Sequence, residues 1–172
     1  MRYLKAWRFF HDKSFFFGLL GFVLITGNLA FKADIVMSQD ISTKISQELI
    51  ALKESDERWI EIDLSSQRLT AWEGNQPIKT VIVSTGKKST PTIPGVFKIQ
   101  SKRELDRMRG VGYDVPNVPY TMYYHGGYAI HGAYWHNKFG TPVSHGCTNV
   151  AVDHAEWLFN WSSIGTSVVI HE

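Results

Sequence analysis

Hydrophobic and polar positions change their period twice along the 172 residues. No residue from Ser14 through Phe31 is charged, and Arg2, Lys5, Arg8 and Lys13 precede that run. A basic flank followed by an apolar stretch at the start of a chain is the layout of an export signal. Its centre, Phe15 to Ile25, has the length of a signal-peptide core, and the extension to Phe31 brings it near the lower bound for spanning a bilayer. Neither Asn28-Leu29-Ala30 nor Phe31-Lys32-Ala33 is a good small-x-small cleavage site. The expectation for residues 1–33 is therefore an uncleaved signal anchor, its basic end in the cytoplasm and the following chain outside, with a cleaved signal peptide as the alternative.

Residues 34–58 place Ile41, Ile45, Leu49 and Leu52 at steps of four, four and three among Lys44, Gln47, Glu48 and Lys53. That spacing predicts a short amphipathic helical linker, packed on the core or standing as a stalk. From Trp59 the period becomes two. Trp59 to Leu64 alternates apolar and acidic residues, Ser65-Ser66-Gln67 supplies a turn, and Arg68 to Glu73 alternates again. Gly74-Asn75 leads into a strand over Ile78 to Ser84, and further strands are expected at Gly95 to Gln100, Tyr120 to Tyr124, Tyr128 to His131 and Thr166 to His171. Asp153 with Glu156 has the form of a capping box for one helix carrying Ala155, Trp157, Leu158 and Trp161. Residues 59–172 thus read as one mainly β, mostly antiparallel domain with minor α content.

Composition narrows the partners. Eighteen Lys and Arg against sixteen Asp and Glu leave a formal net charge of +2, without the basic excess of a nucleic-acid binder, so no nucleic-acid partner is expected. The single cysteine cannot form an internal disulfide, and an unpaired thiol in an exported chain draws notice.

Candidate chemistry concentrates between Ile130 and Asn149, where His131, His136, Ser144, His145, Cys147 and Asn149 occur together. A lone free cysteine is more often a small buried hydrophobe than a nucleophile. Here Gly146 allows close backbone approach, His131 and His145 are candidate bases, and N–H groups around Gly146 and Cys147 are candidates for an oxyanion hole. An ordinary thiol, with a pKa of about 8.5, is largely protonated at neutral pH and gains reactivity from a nearby imidazole. Zinc is the competing use, since His125, His131, His136, His145 and Cys147 are all capable ligands. Against it, there is no Cys-x-x-Cys pair, no His-Glu-x-x-His helix, and no Asp or Glu from His125 through Asn149. Tyr113, Tyr120, Tyr123, Tyr124, Tyr134 and Trp135 offer an aromatic wall, some of which must be core.

The segment resembles the signature of the L,D-transpeptidase catalytic-domain family, also called YkuD-like: a histidine, a variable stretch, then [Ser/Thr]-His-Gly-Cys-x-Asn or Arg. It reads His131, then Ser144-His145-Gly146-Cys147-Thr148-Asn149, with twelve residues between His131 and Ser144, a short version of the family spacing. Weaker similarity runs from about Trp59 to His171, through Ile60-x-Ile62-x-Leu64-x-x-Gln67-x-Leu69, Ser84-Thr85-Gly86 and, with one extra residue, Thr92-Ile93-Pro94-Gly95. The resemblance implies a β-sandwich-like domain with the cysteine in a cleft under a lid, and neither metal nor organic cofactor. It implies Cys147 as nucleophile and His131 as base and acid, with Gly132 orienting the imidazole. Ser144, His145, Gly146 and Asn149 would shape the substrate and oxyanion sites. The implied reaction is acyl transfer on peptidoglycan stem peptides through a thioester, on the extracytoplasmic face of the cytoplasmic membrane, within the cell envelope. A carboxypeptidase of the same family, a noncatalytic wall-binding module and a zinc amidase are the alternatives.

Overall fold

Strict alternation places Ile60, Ile62, Leu69 and Ala71 on one face of a hairpin and Trp59 and Trp72 on the other, so this sheet is apolar on both sides. The computed structural model describes the backbone of residues 17–172 and the side chains of residues 35–172. The chain divides into two compact units, residues 1–39 and 40–172. Residues 1–16 of the expected signal anchor, 1–33, lie outside the described residues, and of 17–33 the backbone alone is described; among the described residues no helix is long and apolar enough to cross a membrane.

The elements in chain order are α1 (Phe17–Lys53), β1 (Arg58–Asp63), β2 (Arg68–Glu73), β3 (Gln76–Ile82), β4 (Gly95–Lys98), β5 (Ser101–Gly110), β6 (Tyr113–His125), β7 (Tyr128–Gly132), β8 (Thr148–Val150), α2 (Val152–Trp161) and β9 (Ser167–His171). The strands form a five-stranded sheet, β3-β2-β1-β9-β4, and a four-stranded sheet, β5-β6-β7-β8. Both are mixed rather than purely antiparallel. The last strand, β9, returns parallel to β1, and β8 lies parallel to β7.

The main core joins Ile60, Ile62, Leu69, Val81, Val168 and Ile170 of the first sheet to Met122, Tyr124, Ile130 and Val150 of the second, with Ala155 and Leu158 of α2. On the opposite face of the first sheet, Ile45 and Leu52 of α1 bury against Trp59 and Val169, with Leu49, Trp72 and Val96 at the margin. The linker residues therefore belong to a 37-residue helix rather than a short one of their own, and Ile41, the first of the expected stripe, is exposed. The helix ends as Ser55 turns back, its N–H and hydroxyl both donating to Leu52 O.

One further expectation is corrected, and one strand appears where none was expected. The N-cap of α2 is Ala151 without a side-chain hydrogen bond, so Asp153 sits inside the first turn as an acidic residue beside the positive end of the helix dipole and closes no capping box. The basic, acidic stretch Ser101 to Gly110 is a ten-residue strand, paired with β6 in a long hairpin.

Candidate active site

The parallel pairing of β7 and β8 builds the site, because it sets His131 directly opposite Asn149, two residues after Cys147. A second clasp holds the strand from the other side: Ser84 and Asn149 exchange backbone hydrogen bonds of 2.9 and 2.8 Å. Thr85 O then accepts from the N–H groups of Val143 and Ser144, each at 3.0 Å. Thr85 is itself gripped by Gln67, whose Oε1 accepts from Thr85 N–H at 2.9 Å while Nε2 donates to Thr85 Oγ1 and Leu64 O, both at 2.7 Å. The turn between β1 and β2 is thereby tied to the cysteine loop.

Within the loop, Ser144 Oγ donates to Cys147 O at 2.5 Å and accepts from Gly146 N–H at 3.0 Å. Gly146 N–H is thus committed to the turn. Buried Thr92 braces the same glycine, donating to Gly146 O at 2.6 Å and accepting from Gly86 N–H at 2.9 Å. Gly146 has φ +119, and a Cβ there would lie 2.7 Å from the Tyr128 ring, so only glycine fits without displacement.

A cavity of about 260 Å³ lies over this scaffold, lined by His131, His136, Ser144, His145, Cys147 and Asn149. Met108, Tyr113 and Val115 close one side from the β5–β6 hairpin; Trp135 and Val143 contribute from the loop after β7. Tyr113 and Trp135 therefore form the aromatic wall. Tyr124 is fully buried core, Tyr120 and Tyr123 are packed at its margins, and Tyr134 is exposed and donates to Pro116 O. His125 lies outside the cavity, against Phe97 and Tyr128.

His131 is buried, and its Nδ1 lies 3.0 Å from Gly132 O. A carbonyl only accepts, so Nδ1 carries the proton and Nε2 is the basic nitrogen of the neutral ring. Burial pushes this imidazole down to about 4, opposed by the Gly132 hydrogen bond and reinforced by His136. Burial pushes the Cys147 thiol up to about 11, against the Ala129 N–H, which favours the thiolate. The unliganded pair is consequently thiol and neutral imidazole at pH 7. The thiol donates to Gly127 O at 3.6 Å.

His136 emerges with a definite attachment. Its Nδ1 accepts from Lys138 N–H at 3.1 Å, and its Nε2 lies 2.8 Å from the Asn149 side-chain amide. No spacing rule joins these two residues; the contact exists because the loop folds back over β8. Among the described residues no three His, Cys, Asp or Glu side chains gather as a metal site.

Fold and site together define a two-sheet domain whose one thiol shares a cavity with a buried imidazole. The chain belongs to the L,D-transpeptidase catalytic domain (YkuD) family, whose family model matches residues 57–170. It is 29% identical to L,D-transpeptidase 2 of Mycobacterium tuberculosis over 120 residues, covering 63% of this chain and 29% of that protein. The catalytic domain of the Enterococcus faecium L,D-transpeptidase superposes with a TM-score of 0.62 at 28% identity, over 67% of this chain and 98% of that one. The L,D-transpeptidase LdtMt1 in complex with imipenem superposes with a TM-score of 0.64 at 26% identity, over 67% of this chain and 59% of that one. The chain thus spans less than a third of the length of the mycobacterial L,D-transpeptidase 2.

Proposed function

We propose that this chain is a peptidoglycan L,D-transpeptidase acting through Cys147, held on the extracytoplasmic face of the cytoplasmic membrane by residues 1–33. The observation that carries the reading is the fixed tautomer of His131: Gly132 O holds the proton on Nδ1 and leaves Nε2 basic in the cavity that Cys147 shares. Family membership and the likeness to named L,D-transpeptidases support the substrate class.

In the reaction, the Cys147 S–H proton passes to His131 Nε2 as sulfur attacks the carbonyl carbon of the third residue of a tetrapeptide stem. The tetrahedral intermediate collapses with cleavage of the C–N bond. The imidazolium returns the proton to the departing D-alanine amine, and a thioester remains. An acceptor amine attacks the thioester, loses a proton to His131 and expels the thiolate, which is reprotonated. A second stem peptide as acceptor gives a crosslink, and water gives carboxypeptidase activity.

The test is intact-mass and peptide mapping after incubation with a carbapenem and then with a disaccharide-tetrapeptide donor. The adduct is expected on Cys147 and absent in Cys147→Ser. His131→Ala is expected to lose about 10²- to 10⁴-fold in acylation rate, the usual range for a general base. His136→Ala, which removes a ring from the cavity wall and its contact with Asn149 but no proposed base, is expected to lose far less. Equal losses in folded variants would reassign the base. A wild type that forms no adduct, yet binds peptidoglycan as well as Cys147→Ser does, would replace the enzyme with a wall-binding module.

A further inference from the structure

Lys87 belongs neither to the aromatic wall nor to the histidine and cysteine cluster, yet its backbone is fastened to the loop that carries them. Its N–H donates to Ser144 O at 3.1 Å, and Gly86 and Ser144 form a parallel bridge. Thr90 N–H donates to Lys87 O at 2.8 Å, while the Thr90 hydroxyl donates to the same Ser144 O at 3.1 Å. The side chain then reaches His145, with Nζ 3.4 Å from Nε2. An ammonium only donates, so Nε2 accepts and the His145 proton sits on Nδ1. The His145 ring stacks on Tyr113 with centroids 4.8 Å apart, and both rings line the cavity. Tyr113 in turn has its pKa raised, first by burial and then by its nearness to Cys147 once that thiol ionises. Lys87, His145, Tyr113 and Cys147 therefore follow one another from the rim to the thiol.

The charge around this ammonium is unbalanced. Arg103 pairs with Asp106 at 3.2 Å, and Arg107 and Arg109 pair with Asp114 at 2.7 and 3.5 Å. Among the described residues Lys87 has no carboxylate in ion-pair range, and no Asp or Glu lines the cavity. A neutral imidazole supplies a lone pair without countercharge, and a carboxylate supplies both.

We infer that Lys87, held by His145, forms a carboxylate-binding subsite at the rim of the catalytic cavity, occupied by a carboxylate of the donor stem peptide. This rests on the transpeptidase reading and names the group that orients its substrate. The leaving D-alanine of such a donor carries a carboxylate beside the scissile bond, and a third residue whose side chain ends in a carboxylate would carry a second of the same chemistry. Anchoring either one fixes the direction in which the peptide crosses Cys147. A charged hydrogen bond of this kind, partly exposed to solvent, is worth about tenfold in affinity.

The experiment compares wild type, Lys87→Met and Lys87→Arg as full-length chains, with thermal unfolding checking that each is folded. Acylation of Cys147 is followed by mass against three tetrapeptide donors: the free acid, the C-terminal amide, and the amide of the third-residue side chain. With the free acid, Lys87→Met is expected to lose about tenfold in kcat/KM, mainly through KM, and Lys87→Arg to recover most of it. One of the two amides is expected to react equally with wild type and Lys87→Met, and that amide identifies the carboxylate held. Equal losses across all three donors, or no loss, would overturn the subsite while leaving the transpeptidase standing. A wild type acylated by none of them would overturn the transpeptidase reading and the subsite with it.

Discussion

Replacing Gln67 with alanine tests whether a turn 80 residues before the cysteine holds the reactive loop in place. The side chain is buried and makes three hydrogen bonds, two to Thr85 and one to Leu64 O. Alanine keeps the Cβ, so the positive φ of 53 at this position is strained in both residues and cancels from the comparison. What changes is that buried Thr85 N–H loses its acceptor, at about 1–3 kcal/mol, while the two Nε2 contacts go at about 1 kcal/mol or less each. The sum is about 3 kcal/mol, a drop in melting temperature of roughly 6–12 °C for a domain of this size. Acylation should fall as well, since Thr85 O positions Val143 and Ser144.

Gln67→Glu discriminates hydrogen bonding from simple filling of space. The isosteric carboxylate keeps an acceptor for Thr85 N–H but turns a second oxygen toward Leu64 O, and burial drives its pKa up. Its protonated form can donate again, so the variant should be more stable near pH 5 than near pH 8. Calorimetric or fluorescence melting of the three full-length proteins at both pH values, alongside carbapenem acylation rates, decides the matter. A Gln67→Glu protein that falls short of wild type by the same amount at pH 5 and pH 8 would refute the hydrogen-bond account and leave side-chain volume as the cause.

Alkylation of Cys147 by iodoacetamide should climb with pH from 7 to 10 without levelling, because the thiolate becomes abundant only toward about 11; a plateau below pH 8 would mean a resting thiolate–imidazolium pair instead. The His171–Glu61 pair, 3.0 Å apart, should contribute to stability mainly between pH 4.5 and 6.5. His171 is raised by the Glu61 hydrogen bond, so its share is complete below 6.5 and fades as pH rises through its folded value; Glu61 is lowered by His171, so its share is present above 4.5 and fades as pH falls. Urea titrations should show Glu61→Gln trailing wild type more at pH 5.5 than at pH 8.5, and an equal gap at both would sink the assignment.

The parts of the fold that were legible in the sequence are those where one strand face is buried. Trp59 to Glu73 announced its hairpin because Ile60, Ile62, Leu69 and Ala71 alternate with residues facing the other way. Ser101 to Gly110 gave no such signal: Met108 is its buried residue, Leu105 is 63% exposed, and the charged side chains pair locally or face solvent, apart from Lys102, which donates to Phe159 O and Ser162 O at the end of α2. Thr148 to Val150 is too short for a period, and its pairing with β7 is a long-range event. The parallel return of β9 beside β1 is hidden for the same reason, since more than a hundred residues separate them. At the site, Ser144-His145-Gly146-Cys147 was conspicuous as a run of chemically distinctive neighbours, and His131, Ser144, His145, Cys147 and Asn149 line one cavity. Met108 and Val115 arrive there on a hairpin that no local pattern marks, and the contact of His136 with Asn149 depends on how the loop closes.

The His131–Asn149 register makes residues 133–147 a span clamped at both ends by ladder hydrogen bonds. The separation of its ends is then a property of the sheet and is independent of how many residues travel between them. Lengthening such a span costs little, about 0.6 kcal/mol for each doubling, provided Ser84 and Thr85 still clasp its far side. A short peptide tag or a fluorophore-bearing insert placed at exposed Asn137, ahead of the Ser84 and Thr85 clasps on Lys138, Val143 and Ser144, gives up the Lys138–His136 hydrogen bond but leaves the bonds that hold Ser144 to Cys147 in place, and so puts a label beside the cavity.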